Sequence, residues 1–196
     1  LLAGEYTLVI TNVPYLKGDK QSTVLREFNK AHHADAKACL STSFLDRILV
    51  WPHRRGTVSI VVPQYLLFLG SYTSFRRRLL RDHEFELIAR LGPNAFETIS
   101  GEMVNVALLV VSECTPQKDH RIPALDALGV SSAAGKRAAV IDASRPMLFL
   151  PQAEQQRHPD SRVVLDSEGL AAHPPISDVA DFGKGSVTGD SPHYLR

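Results

Sequence analysis

Two stretches of the chain, 6–11 and 57–62, are apolar or β-branched at nearly every position, and a helical repeat lies between them. A strand with one wet face alternates polar and apolar residues, whereas a strand covered on both faces need not. The repeat consists of Ala36, Leu40, Phe44 and Ile48, with Leu45 and Leu49 between. Asp35 opens it, and Pro52 and then Gly56 stop it. Strand, helix, strand is the crossover that joins neighbouring parallel strands, and it is right-handed in nearly all cases. The expectation is an α/β fold in which 6–11 and 57–62 are buried, adjacent and parallel under a helix over 35–51. The far side of the first strand should be a raw sheet edge.

The rest of the chain is read from period and punctuation. A short helix is expected over 22–32 with Val24, Leu25 and Phe28 inward, and another over 71–81 with Tyr72, Phe75 and Leu79 on one face. Strands near 85–89 and 104–111 are expected to pair antiparallel at the sheet edge. From Thr115 onward, prolines at 116, 123, 146, 151, 159, 174 and 175 break up short apolar runs. A connecting segment is expected there, with some helix around 151–157.

The first strand runs straight into Asn12-Val13-Pro14-Tyr15. Open α/β sheets bind ligands outside the carboxyl ends of their strands, so this tetrapeptide stands where a site belongs. Asn12 can accept from an N–H through its side-chain oxygen, and the Val13 carbonyl can supply a second acceptor. Pro14 stiffens the turn, and the Tyr15 ring can stack on a π-face. Together they describe a receptor for a flat ring bearing an amino group. The lone pair of adenine N6 or cytosine N4 is delocalised into its ring, and two acceptors holding the amine hydrogens favour the pyramidal, nucleophilic form. Stabilisation that grows as the nitrogen gains charge is transition-state binding.

On these residues the chain resembles the amino-methylating DNA methyltransferases, whose signature is Asn/Asp-Pro-Pro-Tyr/Phe. Val13 departs from the commonest form but keeps the carbonyl. The resemblance continues in order through 56–64, 90–97 and 104–111. It places Phe96 where a second aromatic would face the target base. Lys17-Gly18, 96–102, 155–163 and 185–191 narrow it to adenine-N6 methyltransferases of the Eco57I-like, BREX PglX-type group. It implies the C-terminal part of a class I (Rossmann-like) S-adenosylmethionine-dependent methyltransferase domain over 1–115. A connecting segment over 116–176 and the start of a DNA-recognition region over 177–196 would follow. The implied partner is double-stranded DNA with a flipped adenine, together with other phage-defence proteins.

The family binds S-adenosylmethionine through a Gly-rich turn and an acidic residue upstream of the tetrapeptide. Only residues 1–11 precede Asn12 here, so the chain is expected to be an internal fragment, inactive alone. Gly183-Lys184-Gly185 lacks the full phosphate-loop pattern. Other acceptors stay open from the tetrapeptide alone: cytosine N4, a guanine N2 in RNA, or a protein glutamine. So does a truncated remnant that only binds DNA.

With 44% hydrophobic and 22% charged residues and a net charge of +1, the composition is that of a globular piece rather than a polybasic nucleic-acid binder. No run of roughly 18 apolar residues marks a membrane span, and a cytoplasmic location is expected. Cys39 and Cys114 have no zinc-type spacing and are expected to be reduced, and no metal is expected among the eight histidines. Arg76, Arg77, Arg78 and Arg81 are weak candidates for DNA phosphate. Consecutive arginines on a helix point in different directions, and a solvated surface is the plainer reading. Tyr65 and Phe68 could line the pocket, although core packing is the expectation for both.

Overall fold

The computed structural model describes residues 5–96, 104–142 and 144–165. They form a six-stranded mixed sheet with helices packed against it. The strands are β1 (Tyr6–Asn12), β2 (Pro52–Pro63), β3 (Glu84–Gly92), β4 (Val106–Ser112), β5 (Arg121–Asp126) and β6 (Leu148–Pro151). The helices are α1 (Thr23–His32), α2 (Leu40–Ile48), α3 (Thr73–Asp82), α4 (Ala133–Ile141) and α5 (Gln152–Arg157). Across the sheet the strands run β1-β2-β4-β3-β5-β6.

The expected crossover is present. β1 and β2 are adjacent and parallel, with Leu8 opposite Thr57 and Asn12 opposite Val61. Leu45 and Ile48 of α2 are buried in the core with Val58, Ile60 and Val62 of β2. Burying each such side chain stabilises the fold by about 1.5–3 kcal/mol. The register shifts between Tyr6 and Leu8, where Gly56 sits against the first strand. A Cβ on Gly56 would fall 2.6 Å from the Tyr6 carbonyl oxygen, so only glycine admits this approach.

Several expectations are corrected. β1 is an edge strand among the described residues, so Leu8 and Ile10 are 53% and 73% exposed rather than buried. α2 begins at Leu40, not Asp35. The hydroxyls of Thr42 and Ser43 donate to the Ala36 and Cys39 carbonyls and hold the preceding residues in a turn. In α1, whose Ser22 side chain caps the helix by accepting from the Leu25 N–H, Val24 and Phe28 point outward. The buried residue is Asn29, which donates to Gln21. A polar pair, invisible to a hydrophobic period, anchors that helix.

β3 and β4 pair antiparallel as expected. They do not end the sheet, because β4 lies between β2 and β3, while β5 pairs parallel with β3 and β6 closes the far edge. Ile122, Ala124, Leu150, Val163 and Leu165 join the same core as Phe75 and Leu109. The sheet therefore continues past residue 115, and residues up to Leu165 belong to one compact unit. The helix expected around 151–157 is α5. Its Gln152, 1% exposed, donates to the Leu80 and His83 carbonyls and accepts from the Phe85 N–H, tying α5 to the end of α3 and the start of β3. Residues 166–196, including the expected start of a recognition region, lie outside the described residues.

Candidate active site

Asn12 is the last residue of β1 and is exposed at its carboxyl end. Val13, 6% exposed, drives its side chain into the core. That anchors the turn and leaves the carbonyl as the group Val13 can offer a ligand. Pro14 has no N–H to continue a ladder, so strand pairing stops there. Tyr15 packs against the core with one side, and its hydroxyl donates to Asn12 Oδ1 at 3.4 Å. Burial, with a smaller contribution from the Cys39 thiol, pushes the Tyr15 phenol up to about 12, so it is a neutral donor at pH 7. A bond this long is weak and is readily exchanged for a ligand donor.

Tyr15 lines a cavity of about 510 Å³ together with Lys17, Lys20, Tyr65, Phe68 and Asn105. That volume is within the range of small-molecule pockets. Tyr65 is held rigidly: its ring stacks on Tyr72 with centroids 5.5 Å apart and planes 18° apart, and its hydroxyl donates to Cys39 Sγ at 3.3 Å. Burial first, and then the contact with Cys39, raises the Tyr65 phenol well above its ordinary value. Phe68 is 45% exposed at the rim. Asn12 is not among the lining residues and meets the cavity through the Tyr15 hydroxyl.

Phe96 is placed elsewhere. It lines a separate open cavity of about 880 Å³ with Ala134, Arg137, Ala138 and Ile141 of α4. β3 ends at Gly92 in the left-handed region (φ 69°), beside Leu128. The expected Tyr15–Phe96 pair therefore does not share one cavity in this structure. The aromatic residues that share it with Tyr15 are Tyr65 and Phe68, which were expected to be core. The signal in the sequence was their place just after the β2 carboxyl end, level with Tyr15 in the parallel register.

The arginine cluster is bound within the protein. Arg76 is 2% exposed and donates to the carbonyls of Leu66, Leu69, Asp160 and Ser161. It is a buried crosslink and not a phosphate contact. Arg77 donates to Ser161 Oγ, Arg78 pairs with Asp46 at 2.7 Å, and Arg81 pairs with Asp82 at 2.6 Å. Both cysteines are free, Cys39 buried and Cys114 half-buried. Among the described residues no three His, Cys, Asp or Glu side chains converge as a metal site, and no helix is long and apolar enough to cross a membrane.

The chain is similar in sequence and in fold to known proteins. Residues 2–96 match the family described as Eco57I restriction-modification methylase. The adenine-specific methyltransferase BrxX of Escherichia coli O9:H4 (strain HS) is 34% identical over 111 residues, which is 57% of this chain and 9% of BrxX. The adenine-specific methyltransferase PglX of Lacticaseibacillus casei (strain Zhang) is 29% identical over 112 residues, again 57% and 9%. This chain thus spans about a tenth of either relative. Among solved structures, the DrdV–DNA complex has a TM-score of 0.56 at 17% identity, over 76% of this chain and 17% of that one. A Listeria monocytogenes protein assigned to the class I S-adenosylmethionine-dependent methyltransferases has a TM-score of 0.50 at 13% identity, over 71% and 42%. The fold is similar to part of a class I, Rossmann-like methyltransferase domain, and residues 2–96 are similar to the Eco57I restriction-modification methylase family.

Proposed function

We propose that this chain forms the acceptor half of a DNA methyltransferase that transfers a methyl group from S-adenosylmethionine to adenine N6, in restriction-modification or phage defence. The carrying observation is the end of β1, where Asn12 stands beside Tyr15, and Tyr15 lines an aromatic-walled cavity. The adenine-specific names of both relatives favour adenine over cytosine N4, RNA guanine or protein glutamine. The DNA in the DrdV complex favours DNA as the partner. A cytoplasmic site of action and company with other phage-defence proteins belong to the same proposal.

In this reading a base extruded from the duplex lies against Tyr15. Asn12 Oδ1 releases the Tyr15 hydroxyl and accepts one amine hydrogen, and the Val13 carbonyl accepts the other. Both acceptors bind more strongly as the nitrogen pyramidalises and gains charge. Tyr65 and Phe68 supply the other aromatic surface of the cavity. Product analysis tests the proposal: DNA treated with a reconstructed methyltransferase carrying this chain should contain N6-methyladenine, whereas N4-methylcytosine would overturn the acceptor.

Tyr15 separates stacking from hydrogen bonding. Tyr15→Ala should weaken capture of the flipped base by roughly 1–3 kcal/mol, the value of one stacked base. Tyr15→Phe should be tolerated. The fluorescence of 2-aminopurine at the target position reads both, and a strong defect in Tyr15→Phe would show that the hydroxyl, not the ring, is what matters.

The resemblance places the Gly-rich turn and acidic residue that bind S-adenosylmethionine upstream of Asn12. This polypeptide by itself is expected to bind S-adenosylmethionine weakly or not at all by calorimetry. Stoichiometric micromolar binding, about −8 kcal/mol, would require a site of another kind.

A further inference from the structure

The rim of the Tyr15 cavity carries two cations, Lys17 and Lys20, both exposed. Neither has an ion pair or side-chain hydrogen bond among the described residues, in contrast to Arg76, Arg77, Arg78 and Arg81. We propose that Lys17 and Lys20 hold the phosphodiester flanking the base in the cavity, a role that rests on the base-pocket reading above.

The rim is built to hold them in place. The Lys20 N–H donates to the Lys17 carbonyl at 3.0 Å and closes a 3-10 turn over Gly18–Lys20. Lys17 and Lys20 stand at the two ends of this turn, and both line the cavity. The turn is pinned to the start of α2. The Gly18 N–H donates to the Ala38 carbonyl at 3.0 Å, the Leu40 N–H donates to the Leu16 carbonyl at 2.8 Å, and Lys17 forms an isolated antiparallel bridge with Cys39. From beneath, buried Gln21 donates to the Leu16 carbonyl at 3.0 Å and accepts from Asn29 at 2.9 Å.

With the backbone fixed, only side-chain freedom is left to lose when the lysines meet an anion. Asp19 also lines the cavity, so the rim holds two ammonium groups against one carboxylate and keeps a net positive charge. A base stacked on Tyr15 leaves its sugar and phosphates at the mouth, where these lysines stand.

The test uses the full chain and a short fluorescein-labelled single-stranded oligonucleotide containing adenine, followed by anisotropy over a salt series. Each phosphate neutralised on a single strand contributes about 0.7 to the slope of log K against log salt. Lys17→Gln/Lys20→Gln should flatten the slope by about 0.7, the share of the one phosphodiester they hold, and weaken binding alike for all sequences. Arg81→Gln, already paired with Asp82, should leave the slope unchanged, and Tyr15→Ala should weaken binding at an unchanged slope. An unaltered slope in the double-lysine variant overturns the phosphate role while a Tyr15→Ala defect keeps the base pocket. A flattened slope with no Tyr15→Ala effect does the reverse. Wild-type chain that fails to bind at low salt counts against both.

Discussion

Asn12→Ala, in a reconstructed methyltransferase carrying this chain, is expected to cut methyl transfer on the order of 10²-fold, by analogy with the loss of one oxyanion-hole donor. DNA binding should stay near wild type. The asymmetry follows from the position of Asn12. It ends an exposed strand, and among the described residues its one side-chain partner is the Tyr15 hydroxyl at 3.4 Å, so its removal leaves no buried group there unsatisfied. What is lost is an acceptor whose interaction strengthens as the amine nitrogen gains positive charge, and a loss of that kind lowers kcat rather than affinity. Tritium transfer to DNA measures it. Full methylation by the variant would reduce Asn12 to a residue that ends β1.

Arg76→Met is expected to destabilise the fold by at least about 4 kcal/mol, because each buried carbonyl left without a donor costs about 1–3 kcal/mol. Four carbonyls depend on this one guanidinium, two in the turns before α3 and two at Asp160 and Ser161. Burial lowers Arg76 to about 10, partly offset by Asp160, so it remains charged at neutral pH. For a chain of this size the loss amounts to a Tm lower by about 8–16 °C, read by circular dichroism. Arg76→Lys should fall between, since an ammonium keeps the charge but cannot present the planar fork that reaches four acceptors. An unchanged Tm in Arg76→Met would show that water replaces the guanidinium.

The parts of the fold legible in the sequence are those that a period can encode. The crossover from β1 to β2, the inward face of α3 and the β3–β4 pair were readable because apolar residues recur at strand or helix spacing. Polar ties were not. Gln152 with three backbone groups and Arg76 with the carbonyls of Asp160 and Ser161 join segments distant in the chain, and even Asn29 with nearby Gln21 pairs polar groups that no hydrophobic period announces. In the Arg76–Arg77–Arg78 run the sequence suggested a surface, yet its first member is buried. The candidate site was legible at Asn12 to Tyr15, where strand end and turn chemistry coincide. Its other wall was not. Tyr65 owes its position to stacking on Tyr72 and a bond to Cys39, while Phe96 follows a left-handed turn that carries it to α4.

The insertion of β4 between β2 and β3 has a consequence for synthesis on the ribosome. β2 is made early, but its second edge can pair only with a strand encoded some tens of residues later, after α3 and β3 have already emerged. At roughly 5–20 residues per second this leaves an apolar strand edge open for a few seconds. An unpaired edge of that kind is a template for joining other chains. The two carbonyls at Asp160 and Ser161 that Arg76 needs arrive later still, so α3 must wait for the far end of the compact unit before its buried charge is fully satisfied. Pauses or truncations between Pro63 and Val106 should therefore send nascent chains into aggregates, whereas a pause beyond Leu165 should be harmless to this unit.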